Sequence, residues 1–290
     1  MGFYPQPNEW SCGPFALKHA LVALGKLAEA DEIARFAKTH WWSGTDELRL
    51  ARAARAYDCA LVGARRRDPE LARRALVRSL ASGRPAILCV DDWGHWITVL
   101  RHHGGEFVVV DSNMDPVLNV LSWQTLRRRW RYLDVDYDED EPPALFDYFE
   151  VVPKFRAVLR GQFSVSRVRF LRRAENRRLA LCWDEFLEDL LEICRPRSPQ
   201  HVAPLSMAEF LRRHQEMLLR RVEYWHGDIA RRRMLRLFSH LRFVAETYGL
   251  VIPEAAQRRA LADLAILATM WAVAEKGLGP IYEPGAVKGP

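Results

Sequence analysis

The chain has 290 residues and a net charge of +6, with 49% hydrophobic and 28% charged residues, which is ordinary for a soluble globular protein of one or two domains. The N-terminus lacks the basic and apolar regions of a signal peptide, and the best apolar stretch, residues 260–274, contains Asp263 and is too short to cross a bilayer. Five cysteines without a CxxC pair argue against a disulfide framework and a structural zinc site. We therefore expect a cytoplasmic protein with no membrane span, metal or cofactor.

The first half of the chain has apolar residues at helical spacing first and short β-rich runs afterwards. The spacing predicts helices from Ser11, a suitable N-cap, to Gly25, over residues 29–42, over residues 46–57 with Thr45 as the cap, and from Asp68 to Gly83. Strands are predicted over residues 85–90, 95–100, 106–110, 116–121 and 148–152, with a helix capped by Ser122 before the last of them. A turn over residues 102–105 predicts a hairpin. This order indicates an α+β fold in which the N-terminal helices pack on an antiparallel sheet.

The second half differs in charge and in pattern. Residues 151–290 hold 24 Lys and Arg against 15 Asp and Glu, a net charge of +9, whereas residues 1–150 hold 19 against 22, a net charge of −3. Four amphipathic patterns over residues 176–195, 206–225, 228–248 and 253–276 predict an all-α helical bundle. We predict two domains, residues 1–153 and residues 154–290. Solvated arginine-rich helix faces explain the basic half more simply than nucleic-acid binding, for which no motif is present. The acidic run 134–143 is interpreted as a solvated loop, since it lacks the glycine of a calcium loop.

Cys12 follows a short loop and begins the first predicted helix, in the sequence Ser-Cys-Gly-Pro. Free N–H groups and the positive end of the helix dipole favour a thiolate at such a position, and the thiolate is the reactive form. Gln6 lies six residues upstream, where its side-chain amide can fold back beside the sulfur. A lone cysteine is more often a buried structural residue, so Cys12 alone does not establish a nucleophile.

His95 and Asp111 belong to the predicted hairpin. His95 opens one strand and Asp111 ends the return strand sixteen residues later, so the turn brings both to the same end of the sheet. A carboxylate in this position can hydrogen-bond one imidazole nitrogen while the other nitrogen faces a thiol.

Gln6, the Ser-Cys-Gly-Pro run around Cys12, Gly94-His95-Trp96 and Asp111 resemble, in order and spacing, the motifs of the bacteriocin-processing, or double-glycine leader, peptidases, a branch of the papain-like cysteine peptidases. The resemblance covers residues 3–152. It implies a papain-like fold with Cys12 as the nucleophile, His95 as the general base and acid, and Asp111 as the group that orients His95. It also implies an oxyanion hole formed by Gln6 and the Cys12 N–H.

The sequence departs from the family pattern in two ways. Ser112 follows Asp111 where the family commonly has proline, and Asn113 is the alternative orienting residue because papain-type enzymes can use asparagine. Many relatives are fused to a membrane transporter, and this chain contains no such segment, so maturation coupled to export is not supported.

The four residues predict an acyl-thioester on Cys12 but leave open what resolves it. Water gives a peptidase or amidase, the function we predict, with a peptide or protein as substrate; an amine gives an acyltransferase or transglutaminase. A catalytically inactive peptide-binding scaffold is a further alternative.

Five tryptophans lie in segments near the predicted site, and they are interpreted as part of a groove for an extended peptide, with about half of them in the core: Trp10, Trp41, Trp42, Trp93 and Trp96. Asp91 and Asp92 are interpreted as a solvated turn, with contact to a cationic residue as the alternative.

Overall fold

The computed structural model describes residues 2–133, 143–155, 157, 159–194, 205–226 and 230–276. Most of the acidic run 134–143 lies outside these residues. The chain divides into two compact units, Met1–Phe186 and Leu187–Pro290. The domain boundary at residue 153 stays a prediction.

The first unit is an α+β fold, as predicted. Its helices are α1 (Cys12–Ala23), α2 (Ala30–Ala37), α3 (Glu47–Ala56), α4 (Pro69–Ala81), α5 (Trp123–Trp130), α6 (Val165–Leu171), a short 3-10 helix (Ala174–Asn176), α7 (Arg177–Leu181) and the start of α8 (Trp183–Cys194). Its strands are β1 (Cys59–Arg66), β2 (Ala86–Val90), β3 (His95–His103), β4 (Glu106–Val110), β5 (Leu118–Ser122), β6 (Tyr132–Leu133) and β7 (Ala144–Pro153).

All strand pairs of the sheet are antiparallel, in the order β1-β7-β2-β3-β4-β5, with β6 paired to β7. The predicted hairpin is confirmed as β3–β4, and its turn consists of Gly104 and Gly105, both at positive φ (57° and 83°). Glycine adopts this left-handed conformation without steric cost, and turns of this hand match the twist of the strands. The hairpin brings the first residue of β3 and the residue after β4 to one end of the sheet.

The sheet is covered on both faces because its buried strands are apolar at successive positions. Ile87, Cys89 and Trp96 face a cluster that includes α1, α2 and α3. Leu88 and Ile97 face a second cluster that includes α4 and α5. The Thr98 hydroxyl donates to the Ala16 carbonyl at 2.6 Å and joins β3 to α1. The N-terminal end of α1 is therefore held over the end of β3 that carries His95.

A buried ion pair joins α1 to the start of α8. The Lys18 ammonium contacts the Asp184 carboxylate at 2.7 Å and the Gly2 carbonyl at 2.9 Å, and both charged side chains are nearly inaccessible to solvent. Burial raises the pKa of Asp184, although the Lys18 charge opposes that rise. Breaking one partner of such a pair leaves an uncompensated buried charge, so α1 is tied strongly to this part of the unit.

Three local predictions are wrong. The helix predicted to reach residue 42 ends at Ala37, because Lys38 is left-handed (φ 52°). Asp46, not Thr45, caps α3 by accepting from the Arg49 N–H at 2.8 Å. The Ser11 side chain does not cap α1, since its hydroxyl donates to Asn8 Oδ1 instead.

The strand β1 was not predicted from the sequence. Its residues lack a clean alternation of apolar and polar side chains, because β1 is an edge strand that is mostly half-buried or exposed. It pairs over its whole length with β7, from Cys59 opposite Pro153 to Arg66 opposite Phe146. This pairing depends on contacts that are distant in sequence.

The second unit is helical, as predicted. It contains the rest of α8, α9 (Met207–His226), α10 (Arg231–Tyr248), a 3-10 helix (Glu254–Ala256) and α11 (Gln257–Lys276). A two-residue antiparallel pair, β8 (Leu205–Ser206) and β9 (Val251–Ile252), is the departure from an all-α domain. The pattern predicted as one helix over residues 176–195 is broken at Cys182, whose backbone leaves the helical region before α8 begins at the buried Trp183. Within the described ranges, no helix has the length and apolarity required to cross a membrane.

Candidate active site

Cys12 is the first residue of α1 and is 5% exposed. Pro14 suits the first helical turn because it lacks the N–H that would have no partner there. Since Ser11 does not cap the helix, the backbone N–H groups of Cys12 and Gly13 have no acceptor among the described residues. These two donors and the helix dipole form a place for negative charge beside the sulfur.

His95 contacts both other members of the predicted triad. Its Nε2 lies 2.7 Å from Asp111 Oδ1, and the Cys12 thiol is close enough to its ring to raise the pKa of His95. Because Nε2 is occupied by the carboxylate, Nδ1 is the nitrogen that faces the thiol. Burial lowers the pKa of His95, but the interactions with Asp111 and Cys12 outweigh it and raise that pKa to about 9. Near neutral pH the imidazole therefore carries two protons.

Asp111 is 1% exposed and ionised. Burial alone would raise its pKa, but the hydrogen bonds and charges of His95 and Arg129 lower it to about 2. Asn113, the alternative orienting residue, is exposed, and its backbone N–H donates to Asp111 Oδ1 at 3.0 Å. The carboxylate of Asp111, rather than the Asn113 side chain, is thus the group in contact with His95.

Arg129 is a member of the site that the sequence reasoning missed. Its Nη1 donates to Asp111 Oδ2 at 2.7 Å, and its Nε and Nη2 contact the Asp91 carboxylate at 3.0 and 2.5 Å. Asp91 therefore contacts a cationic residue, which was the alternative to a solvated turn. Leu126 and Trp130 are buried on the same face of α5, and at helical spacing Arg127 and Arg129 flank that face equally. No signal in the sequence therefore identifies Arg129 as the inward member of the run Arg127–Arg129.

The turn between β2 and β3 has an unusual backbone. Asp91, Asp92 and Trp93 all have positive φ values between 54° and 61°, a conformation that costs a non-glycine residue about 1 kcal/mol or more. Arg129 also binds this turn through its carbonyl, which accepts from the Asp91 N–H at 2.8 Å. One arginine therefore fixes both the carboxylate that contacts His95 and the strained turn that precedes His95.

Gln6 is held by Ser112, the residue next to Asp111. The Gln6 N–H donates to the Ser112 carbonyl at 2.8 Å, and the Ser112 hydroxyl donates to Gln6 Oε1 at 2.7 Å. The serine that departs from the family pattern therefore anchors Gln6. Gln6 Nε2 donates one hydrogen to the Asn8 carbonyl at 2.8 Å, and its second hydrogen has no acceptor in the described part of the chain.

A cavity of about 860 Å³ adjoins Cys12. All five tryptophans predicted to lie near the site contribute to its walls. Trp96 is 8% exposed and donates through Nε1 to the Thr45 carbonyl at 2.9 Å, so it is part of the core as well as of the wall. The early end of α2 leaves Trp41 and Trp42 outside the helix, where they reach the cavity.

Neither a protein-family model nor a curated protein matches the chain. Among solved structures, the chain is similar to the peptidase domain of Streptococcus ComA, a bifunctional ABC transporter of a quorum-sensing pathway, with 15% identity, a TM-score of 0.39, and coverage of 53% of this chain and 98% of that domain. It is also similar to a double-glycine-motif protease from an AMS/PCAT transporter, solved with its leader peptide, with 16% identity, a TM-score of 0.38, and coverage of 51% and 89%. These neighbours are peptidase domains of the kind that residues 3–152 resemble, and at this identity the likeness concerns the fold alone.

Proposed function

We propose that this protein is a papain-like cysteine peptidase or amidase that cleaves a peptide or amide bond through an acyl-thioester on Cys12. The observation that carries the proposal is that His95 is hydrogen-bonded to a buried, ionised Asp111 and that the thiol of Cys12, at a helix N-terminus, is close enough to raise the pKa of His95. A cysteine with a purely structural role needs neither a histidine beside its thiol nor a carboxylate that orients this histidine. The contact between Cys12 and His95 also argues against an inactive scaffold.

The mechanism follows from the proton held by His95. A protonated imidazole beside Cys12 stabilises the thiolate form of the nucleophile as its counter-ion. The thiolate attacks the carbonyl carbon of the substrate. His95 then gives its proton to the leaving amine, the C–N bond breaks, and a thioester forms. In the second half-reaction His95 takes a proton from water, the resulting hydroxide attacks the thioester, and the thiolate of Cys12 leaves. Asp111 keeps the imidazole in the correct tautomer and orientation throughout.

The negative oxygen of the tetrahedral intermediate needs hydrogen-bond donors. Two donors support the proposed oxyanion hole: the backbone N–H of Cys12 and the second Nε2 hydrogen of Gln6. Neither has an acceptor among the described residues, so both are available to the oxyanion. Removing one such donor typically costs about a hundredfold in rate. The proposed substrate is a peptide or protein, and a reducing compartment such as the cytoplasm suits a free thiol nucleophile.

The proposal is tested with an activated peptide ester that acylates nucleophilic thiols, followed by mass spectrometry of the intact protein. We expect one acyl group on Cys12 and none in Cys12→Ala. Cys59→Ala is the matched control, because Cys59 is a fully buried thiol of the same unit that does not line the cavity, and burial raises its pKa to about 11. Equal labelling of Cys12→Ala and the wild type would refute the proposal.

The same acyl-enzyme separates hydrolysis from acyl transfer. We expect water to release the acyl group at a rate that added primary amines do not change. Amine-dependent release that forms an amide would identify an acyltransferase or transglutaminase instead.

A further inference from the structure

The cavity beside Cys12 combines exposed indole rings with carboxylates that lack ion-pair partners. We propose that it binds the cationic side chain of a lysine or arginine in the peptide substrate. This inference rests on the proposed function, since it assigns the substrate class of the same site.

Four of the five indoles of the cavity are too exposed to serve as core residues. Trp10, Trp41, Trp42 and Trp93 are 39%, 65%, 78% and 41% exposed, whereas Trp130 in the core of the same unit is 1% exposed. Four large aromatic side chains left in water around one cavity indicate a surface that a ligand covers. The electron-rich face of an indole attracts a cation as well as an apolar group.

The charges of the wall favour a cation over an apolar ligand. Four carboxylates and one guanidinium line the cavity: Glu9, Asp46, Glu47, Asp147 and Arg65. Asp147 is neutralised by Arg65 through two hydrogen bonds of 2.7 and 2.6 Å, and Asp46 contacts Arg49 at 3.3 Å. Neither Glu9 nor Glu47 has an ion-pair partner in the part of the chain that the structure describes.

The field of these carboxylates reaches the thiols at the base of the cavity. The pKa of Cys89, which lines the cavity with Cys12, is raised to about 12 by burial first, then by its interaction with Cys12 and by the carboxylates of Asp147 and Glu47. A cation bound beside Glu47 would relieve this repulsion. An apolar side chain would instead desolvate Glu9 and Glu47 without compensating them, and an acidic side chain would be repelled.

The wall already contains one example of the proposed contact. The Arg65 guanidinium lies over the Trp93 ring at 5.2 Å from its centroid. No cation occupies the rings of Trp10, Trp41 or Trp42 within the described ranges. These rings, with Glu9 and Glu47, offer a ligand cation the same combination of aromatic face and carboxylate that contacts Arg65.

The test uses the Cys12→Ala protein, so that peptides bind without turnover, and dye-labelled pentapeptide pools followed by fluorescence polarisation. Each pool fixes lysine, arginine, norleucine or glutamate at one position and randomises the others. At one position at least, we expect the lysine and arginine pools to bind about tenfold more tightly than the norleucine pool, a difference typical of a cation held by aromatic rings and carboxylates. The glutamate pool should bind most weakly.

The added double substitution Glu9→Gln and Glu47→Gln should remove the preference for lysine over norleucine. The matched control is Glu175→Gln with Glu254→Gln, which deletes the same charge at two exposed positions that do not line the cavity and should keep the preference. The inference is overturned if norleucine binds as well as lysine at every position, if no pool binds, or if the Glu9/Glu47 variant keeps the preference.

Failure here is distinguishable from failure of the proposed function. Acylation of Cys12 in the wild type without any selectivity for cations overturns the cavity assignment and leaves the peptidase intact. Cation-selective binding by a protein whose Cys12 cannot be acylated overturns the peptidase and leaves the cavity assignment supported.

Discussion

Two carboxylates, one in each unit, show how burial changes the meaning of the same contact. Asp111 in the candidate site and Glu209 on α9 each accept a hydrogen bond of 2.7 Å from an arginine, and the pKa of each is lowered to about 2. The Asp111 side chain is 1% exposed, whereas that of Glu209 is 30% exposed and its partner Arg212 is 63% exposed.

The causes of the two lowered pKa values also differ, because Asp111 is buried and Glu209 is not. For Asp111 the largest influence is burial, which would raise its pKa, and the hydrogen bonds and charges of His95 and Arg129 overcome it. For Glu209 the hydrogen bonds to Arg212 and Arg213 come first, and burial opposes them weakly. Water and salt can replace the partners of Glu209 but not those of Asp111. A short ion pair therefore has structural and chemical consequences in the site and few on the helix surface.

The largest effect is expected for Asp111→Ala. Without the carboxylate, His95 loses the group that orients it and Arg129 keeps a charge with one partner fewer, so the rate of Cys12 acylation should fall on the order of 10³-fold. Stopped-flow kinetics with an activated ester measure this rate. Asp111→Asn keeps an oxygen acceptor for the imidazole N–H and should retain more activity than Asp111→Ala. Equal rates for Asp111→Ala and the wild type would contradict a role for this buried contact.

The next effect concerns Arg129→Met, which breaks the link between Asp111 and Asp91. We expect the free energy of unfolding of the first unit to fall by about 3 kcal/mol, because the buried Asp111 loses a charged partner. Asp91→Asn is the matched control: Asp91 is 44% exposed, so its loss should cost about 1 kcal/mol or less. Urea denaturation read by hydrogen exchange in β3 and β4 compares the two variants. An equal loss of unfolding free energy in Arg129→Met and Asp91→Asn would contradict the view that burial makes the Asp111 pair stronger.

A third effect of similar size is expected from pH. The pKa of His95 is about 9 in the folded protein and about 6.5 in an unfolded chain. This raised pKa stabilises the fold fully below pH 6.5, and the contribution of about 3 kcal/mol is lost as pH rises through 9. Urea unfolding at pH 6.5, 8 and 10 measures the loss, and His95→Gln provides the reference in which it is absent. Parallel pH profiles for the wild type and His95→Gln would contradict the prediction.

The sequence was sufficient to predict the features that are local or marked by strong turn residues. The α1 helix, the hairpin with Gly104 and Gly105 at its turn, and the approach of His95 to Asp111 follow from periodicity and turn chemistry alone. The pairing of His95 with Cys12 was instead expected from the resemblance to the double-glycine leader peptidases, because no local pattern relates residue 12 to residue 95.

Features that depend on distant partners could not be predicted in this way. Lys18 and Asp184 are 166 residues apart, and each alone has the character of a surface residue. The run Arg127–Arg129 offers three similar side chains, and the packing of α5 decides which one reaches Asp111. The positive φ of Lys38, which ends α2 and leaves Trp41 and Trp42 beside the cavity, has no glycine to mark it.

The smallest effect is expected for Glu209→Gln, the exposed counterpart of the Asp111 variants. The substitution removes the hydrogen-bonded charge pairs with Arg212 and Arg213 on one turn of α9. Because these side chains lie in water, we expect no measurable change in the urea midpoint of the second unit at pH 7 and moderate salt, despite the lowered pKa of Glu209. Hydrogen exchange in α9 provides the measurement, and repeating it without added salt tests the screening argument. A loss comparable to that of Arg129→Met would show that hydrogen-bond geometry, rather than burial, decides the strength of these pairs.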